Sequence, residues 1–440
     1  MGDYRLNKRL SKLCTQFMIG DASMPLMLCN RGATKAYYRF INNKKVQNDD
    51  LVAIFRSYSD DLVADCKVIL APQDTTELDY TTNRSSANLG CMEYANRKGM
   101  YLHNQLLMNQ QGVVLGIFSQ DFHSRSAESL GQGLKRKYAN IADKESYRWL
   151  SNFMKLQEHF ASQSDKTIYS ISDREGDVSE LLCAQRYEHI HYIIRSCNNR
   201  QSADNQGTLL DVLQRQPADF CYEQELIDRQ GHKRMARLWV RYSPFVSNAP
   251  YRKNGAKLSA RVWVIETKEE NPPQGQEPIS WRLLCSQAVE DAQTARKMIG
   301  YYAHRWGIER FHYVLKQGRK IEDLQIEHEE ALKKAIILQS WIALKVCTLC
   351  YDIRSNPEES IAKVGFDKQD YELAYQYLTV IKNNKIIKQA APKLIDFARL
   401  IAMIGGSLLQ KNRPLGCVTL WRGFQKFQTI KEIYNINTYG

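Results

Sequence analysis

Between residues 201 and 285 the chain changes character. The segments ARLWVRYSPF and SARVWVIET alternate along their length and are rich in Val, Trp and Tyr. They are set apart by turn-rich stretches, including NPPQGQEP. Alternation with a period of two is the mark of half-buried strands. The sequence on either side follows other patterns, so this stretch reads as a β-rich excursion inserted into another fold. Upstream, CKVILA (Cys66–Ala71), TIYSIS (Thr167–Ser172) and HYIIRS (His191–Ser196) are short apolar strands. MYLHNQLLM and GVVLGIFSQ flank Asn109-Gln110-Gln111 as a hairpin, and a polar helical stretch is expected from about Lys144 to Gln163. Downstream, helices are expected from about Asp291 to Gln317 and from about Glu329 to Tyr351. The remainder reads as helical, punctuated by Pro357, Pro392 and Pro414. The outline is a mixed α/β core interrupted by a β-rich insertion.

Charge narrows the partners. Lys and Arg number 61 against 48 Asp and Glu, a net charge of +13. Residues 1–50 hold nine basic and four acidic side chains, and residues 381–440 hold ten and two. Arg5, Lys8, Arg9 and Lys12 recur at helical spacing, which gives a basic helix face. Such surfaces gain affinity for polyanions by displacing counterions from phosphates. No apolar run approaches the roughly 18 residues expected of a membrane span. The best candidate, Leu400 to Leu409, contains Gly405, Gly406 and Ser407. The opening MGDYRLNKRLSK lacks the apolar stretch of a secretory signal. Eleven Cys without a framework suit a reducing compartment, so a cytoplasmic location without membrane association is expected. Cys347 and Cys350 form one CxxC inside AIILQSWIALKVCTLCYDI, where packing in a buried helix is expected rather than a zinc site. Neither GxxxxGK[ST] nor a strand-linked GxGxxG occurs, which argues against nucleotide-driven chemistry.

Three acidic residues stand out. Asp74 follows one apolar strand and Asp173 ends another, where an α/β sheet tends to place a site. Asp173 also opens DREGD and could serve as a helix cap. In YYAHRWGIERFHYVLK, a continuous helix aligns Tyr302, Arg305, Glu309 and Lys316 on one stripe roughly 20 Å long. The two cations are expected to face a polyanion rather than Glu309. Phosphodiester cleavage needs charge neutralised at the attacking and leaving oxygens, and a pair of Mg²⁺ ions does this. Mg²⁺ prefers carboxylate oxygens, so two Asp and one Glu suit that task.

DTTELDY from Asp74, SDREGD around Asp173 and the spacing Tyr302-x2-Arg305-x3-Glu309-x6-Lys316 resemble the DDE transposases of the IS-four family. The likeness extends to KAYYRFINNKKV near the start and LWRGFQKFQ near the end. The resemblance implies an RNase H-like α/β core over residues 56–350, with the β-rich insertion at 201–285. Helical flanking domains would occupy 1–55, for binding transposon-end DNA, and 351–440, for homodimerisation in the synaptic complex. Asp74, Asp173 and Glu309 would be catalytic and would ligate two Mg²⁺ ions, with Mn²⁺ as a substitute. Tyr302, Arg305 and Lys316 would grip DNA near the scissile phosphate, and Arg195 would make a further DNA contact. Where the family often has a Lys after that RS, Cys197 stands here. Trp281, 21 residues before Tyr302, matches a Trp that stacks on a flipped base in part of the family. His312 lies near the signature face and is taken as structural. The implied activity is cut-and-paste transposition: cleavage at the transposon ends, hairpin formation, then joining of the 3′-OH ends to target DNA. It would take place in a bacterial cytoplasm, in association with the nucleoid. A nuclease without strand transfer and a non-catalytic end-binding regulator are the alternatives; retention of all three carboxylates counts against the second.

Overall fold

A computed structural model describes residues 1–19, 31–83, 88–126, 139–227, 233–248, 259–274, 278–364, 366–409 and 415–439. Pro414 and the centre of NPPQGQEP lie outside the described residues.

The strands are β1 (Val68–Asp79), β2 (Gly99–Asn109), β3 (Val114–His123), β4 (Thr167–Ser172), β5 (Ile190–Arg195), β6 (Phe220–Ile227), β7 (Lys233–Asn248), β8 (Ser259–Glu269) and β9 (Ser280–Cys285). They form one nine-stranded sheet in the order β3-β2-β1-β4-β5-β9-β8-β7-β6. β1, β2 and β3 are antiparallel neighbours, while β4 runs parallel to β1 and β5 parallel to β4. The expected hairpin is the β2–β3 pair, and Gly112 supplies the positive φ of its turn at +79°. The β-rich excursion does not build a sheet of its own. β9 pairs antiparallel with β5, so β6 to β9 extend the core sheet.

Alternation along the strands feeds two layers. Ile190, Tyr192 and Ile194 face one layer and Ile193 the other. The first layer is covered by α4 (Tyr147–Phe160), whose Trp149, Phe153, Leu156 and Phe160 are buried at helical spacing. The second is covered by the longest core helix, α7 (Glu329–Ser355). On length and composition α7 could cross a membrane, a correction to the reading that no run comes near that length. Its most apolar window is 72% buried inside the protein. The helices α1 (Tyr4–Ile19), α2 (Arg31–Ile41) and α3 (Asn48–Leu62) dock on it. Phe55 stacks on Trp341 at 4.8 Å, and Lys334 Nζ donates to the Asn43 carbonyl at 3.1 Å. Arg5, Lys8 and Lys12 remain exposed, so the basic face of α1 points outward.

The C-terminal helices α8 (Lys368–Gln376), α9 (Leu394–Ile404) and α10 (Cys417–Tyr439) share this core. The apolar run from Leu400 is the buried side of α9. α9 and α10 meet backbone to backbone: a Cβ on Gly423 would lie 1.9 Å from the Ile401 carbonyl oxygen. Gly423→Ala should therefore push the two helices apart and destabilise the protein by about 1–3 kcal/mol, the usual cost of overpacking. Urea denaturation measures it; an unchanged midpoint would mean that the helices do not approach this closely.

Candidate active site

Register brings the first two acids together. β1 and β4 pair in parallel from Val68↔Thr167 to Pro72↔Ile171, so two residues further on Asp74 comes level with Asp173. Asp74 is not past the end of its strand as expected. β1 continues to Asp79 because β2 keeps pairing with it, Asp74 opposite Asn104. Asp173 is the first residue after β4, and its side chain accepts the Glu175 N–H at 2.9 Å, so strand end and cap are one position.

The third acid arrives on a broken helix. α5 (Ala292–Ala303) ends before the signature stripe is complete, and α6 (Trp306–Tyr313) carries Glu309. A wider helical turn, Val314–Gly318, carries Lys316. The expectation of one continuous helix is corrected by the turn at His304–Arg305. That turn aims Arg305 at both acids. Its Nη2 donates to Glu309 Oε1 at 2.5 Å, and its Nη1 lies 3.9 Å from Asp74 Oδ2. The expectation that the cations ignore Glu309 fails for Arg305, because residues four apart on a helix are neighbours. Lys316 is also engaged, with Glu322 at 3.1 Å and the Glu77 carbonyl at 2.8 Å.

Electrostatics register the convergence. Burial pushes the Asp74 carboxyl up to about 7, and the negative charge of Asp173 adds to this. Arg305 and the Thr75 N–H oppose the rise, and Glu309 adds to it weakly. His312 sits on the buried side of Asp74, its Nδ1 3.8 Å from Asp74 Oδ2. Burial, then Lys316 and Arg305, hold this imidazole down to about 3, so it is neutral. A relay orients it. Gln120 Nε2 donates to Ser340 Oγ and to Asn104 Oδ1, each at 2.9 Å. Asn104 Nδ2 then faces His312 Nε2 at 2.9 Å. With Nε2 accepting, the ring proton lies on Nδ1 and points at Asp74. The sequence reading took His312 as structural and missed Asn104, Gln120 and Ser340. The available signal was the polar triplet His103-Asn104-Gln105 inside an otherwise apolar strand, all three residues buried.

Among the described residues no three His, Cys, Asp or Glu side chains are arranged to hold a metal ion. Arg305 is the cation between Asp74 and Glu309 instead. The donor set still fits a hard divalent ion: the acids are oxygen donors, and a buried carboxyl near two others calls for positive charge.

The remaining signature residues gather on one side. Trp281 packs edge-on against Tyr302, ring centres 5.8 Å apart, and Arg195 lies near enough to influence the Tyr302 phenol. Trp281, Trp306, Tyr222, Arg296 and Ile299 line a cleft of about 440 Å³ between the inserted strands and α5. Tyr302 is only 3% exposed, and it is buried beside the Arg305 guanidinium. In this conformation Tyr302 is the floor under Trp281. Arg195 donates to the Ser280 carbonyl at 3.5 Å. The loop after it is pinned by Asp177, which accepts from the Cys197 N–H at 2.9 Å, the Asn198 N–H at 3.0 Å and Arg200 Nη2 at 2.6 Å.

Residues 154–344 match the family model of the transposase DDE domain, and residues 1–46 match that of transposase DNA-binding. The chain carries a transposase DNA-binding domain and a transposase DDE domain. The DDE match includes Asp173 and Glu309 but begins downstream of β1, so Asp74 joins them through the β1–β4 pairing. The large mixed sheet with helices on its faces is consistent with an RNase H-like DDE core. The DNA-binding match spans α1, which carries the exposed basic face, and α2, and ends just before α3.

Proposed function

We propose that this protein is a cut-and-paste DNA transposase of the IS-four type and that Asp74, Asp173 and Glu309 are its catalytic carboxylates. The observation that carries the reading is the register of β1 against β4, with Arg305 bridging from Glu309 to Asp74. The three acids would hold two divalent ions, Mg²⁺ or Mn²⁺. When bound, such ions neutralise the attacking and leaving oxygens of a phosphodiester and activate water. The chain's own groups do the rest. His312 orients the Asp74 carboxylate from its buried side. Arg305, released from the acids, turns its guanidinium to the scissile phosphate, where its fork suits paired phosphate oxygens. Lys316 adds a second cation. Trp281, propped on Tyr302, offers its face to an unstacked base in the neighbouring cleft; such stacking contributes about 1–3 kcal/mol per base. Arg195 steadies the strand beside it. The exposed face of α1 takes up the transposon end, and the C-terminal helices join two copies of the chain in the synaptic complex. The freed 3′-OH forms the hairpin on the opposite strand and, once the hairpin is reopened, attacks target DNA.

Asp173→Ala should lose nicking, hairpin formation and strand transfer by several orders of magnitude while end binding in a gel shift persists. Nicking at the normal rate would remove the assignment. Trp281→Ala should lower hairpin yield and leave the first nick intact, read on a labelled end fragment; unchanged hairpin yield would refute the stacking role.

A further inference from the structure

The CxxC of α7 is not only packing. Cys347 and Cys350 are buried on α7 as expected, but a third thiol meets them from a distant part of the chain. Cys417 is the first residue of α10, and it lines the same cavity as Cys347 and Cys350. All three thiols are free. They line one cavity of about 190 Å³ together with His304, Arg310 and Arg354. That space is large enough to admit a small oxidant.

The three thiols differ in environment. Cys347 and Cys350 are buried on the core helix; burial raises the Cys347 thiol, and the neighbouring Cys417, then burial, raise that of Cys350. Cys417 is half-buried and opens a helix of 23 residues, whose N–H groups favour negative charge. Arg310 and Arg354 face it, although Arg354 also donates to the Leu415 carbonyl at 2.9 Å. The neighbouring Cys350 thiol and then the two guanidinium groups hold the Cys417 thiol below the ordinary range, against the opposing effect of burial. His304, pushed down by burial, adds no charge at neutral pH. A half-buried sulfur that favours the thiolate, beside a buried thiol in the same cavity, is the arrangement of a reactive cysteine with its resolving partner.

We propose that Cys417 and Cys350 form a thiol–disulfide site that reacts with small peroxides and covalently ties α10 to α7. The Cys417 thiolate attacks one oxygen of hydrogen peroxide, the O–O bond breaks, and hydroxide leaves to be protonated to water. Cys417 is then a sulfenic acid. The Cys350 sulfur attacks the Cys417 sulfur; the Cys350 proton and the sulfenic hydroxyl depart together as water. Two thiols and one peroxide thus yield one disulfide and two waters. The bond joins a core helix to the C-terminal helix across the intervening α8 and α9, so it restrains the C-terminal helices as a group. The proposal does not depend on the assignment of the three acids.

Full-length reduced protein treated with hydrogen peroxide, alkylated and digested without reductant tests this by mass spectrometry. A Cys350–Cys417 cross-linked peptide, lost again on reduction, is expected, and the oxidised protein should melt at a higher temperature. A brief iodoacetamide pulse at pH 7 on the untreated wild-type chain gives a second reading that needs no variant. Cys197 is the more exposed thiol, and burial of its sulfur holds it above the ordinary range. Labelling at Cys417 should therefore run several-fold ahead of Cys197. In Cys350→Ser, peroxide should leave a Cys417 sulfenic acid that dimedone traps. Labelling of Cys197 first, a disulfide between any other pair, or a Cys417 thiol that survives peroxide would each overturn the proposal.

Discussion

Asp74→Asn should make the metal-free protein more stable above neutral pH while removing its proposed cleavage activity. The wild-type carboxyl is pushed up to about 7 from an ordinary value of 3.8, chiefly by burial and then by Asp173. A group whose folded value is raised contributes its full stability only below the unfolded value. That contribution is lost as the pH rises through the folded value. Below about pH 3, Asp74 is protonated in both states, and wild type and variant should unfold at nearly the same denaturant concentration. Between about pH 4 and 7 the variant should pull ahead, reaching on the order of 4 kcal/mol at pH 8, at about 1.4 kcal/mol per pH unit. Urea denaturation in EDTA across that range measures the gap. A gap independent of pH would mean that Asp74 is not held as a buried carboxyl beside other negative charge. Added Mg²⁺ should close the gap at pH 8, since a bound cation restores to the wild type what burial removes.

Asp177→Ala should act in the opposite direction and more simply. Asp177 has no exposed side-chain surface, and its partner Arg200 has 6%. Arg200 Nη2 donates to Asp177 Oδ1 at 2.6 Å, and two backbone N–H groups of the loop after β5 also end on this carboxylate. Removing it leaves a guanidinium buried without its counter-charge, a change that costs about 3–5 kcal/mol. Chemical denaturation should show that loss, with a smaller one for Asp177→Asn, which can still accept hydrogen bonds. A variant within about 0.5 kcal/mol of wild type would show that the pair is not closed. The same network holds Arg195 and Asp173 at opposite ends of one pinned loop pair, so end-cleavage activity should fall along with stability.

These two aspartates share one short stretch of sequence with different fates. In DREGD the first acid caps a turn at the end of β4 and faces Asp74; the second is swallowed by the loop after β5. Nothing in the spacing separates the roles, because which loop folds back over the motif depends on residues 196–200. The same limit explains Arg305. Its neighbour Glu309 was visible four residues away, but the break between α5 and α6 that points it at Asp74 follows from packing, not from helical periodicity. Tyr302, placed by periodicity on the stripe with Arg305, is buried against Trp281.

From the amino-acid order alone came the strands, the inserted β-rich stretch, the basic termini and the three acids with their signature spacing. These features are written in local periodicity, charge and motif, and need no knowledge of what lies across the fold. Only the tertiary structure decided that β9 closes the insertion onto β5, that β1 delivers Asp74 in register with Asp173, and that His312 lies between Asn104 and that acid. It also decided that Cys417 meets Cys350 from another helix. Each of these joins residues far apart in the chain, and such contacts are chosen by which buried surfaces fit together, a property that no window of sequence contains.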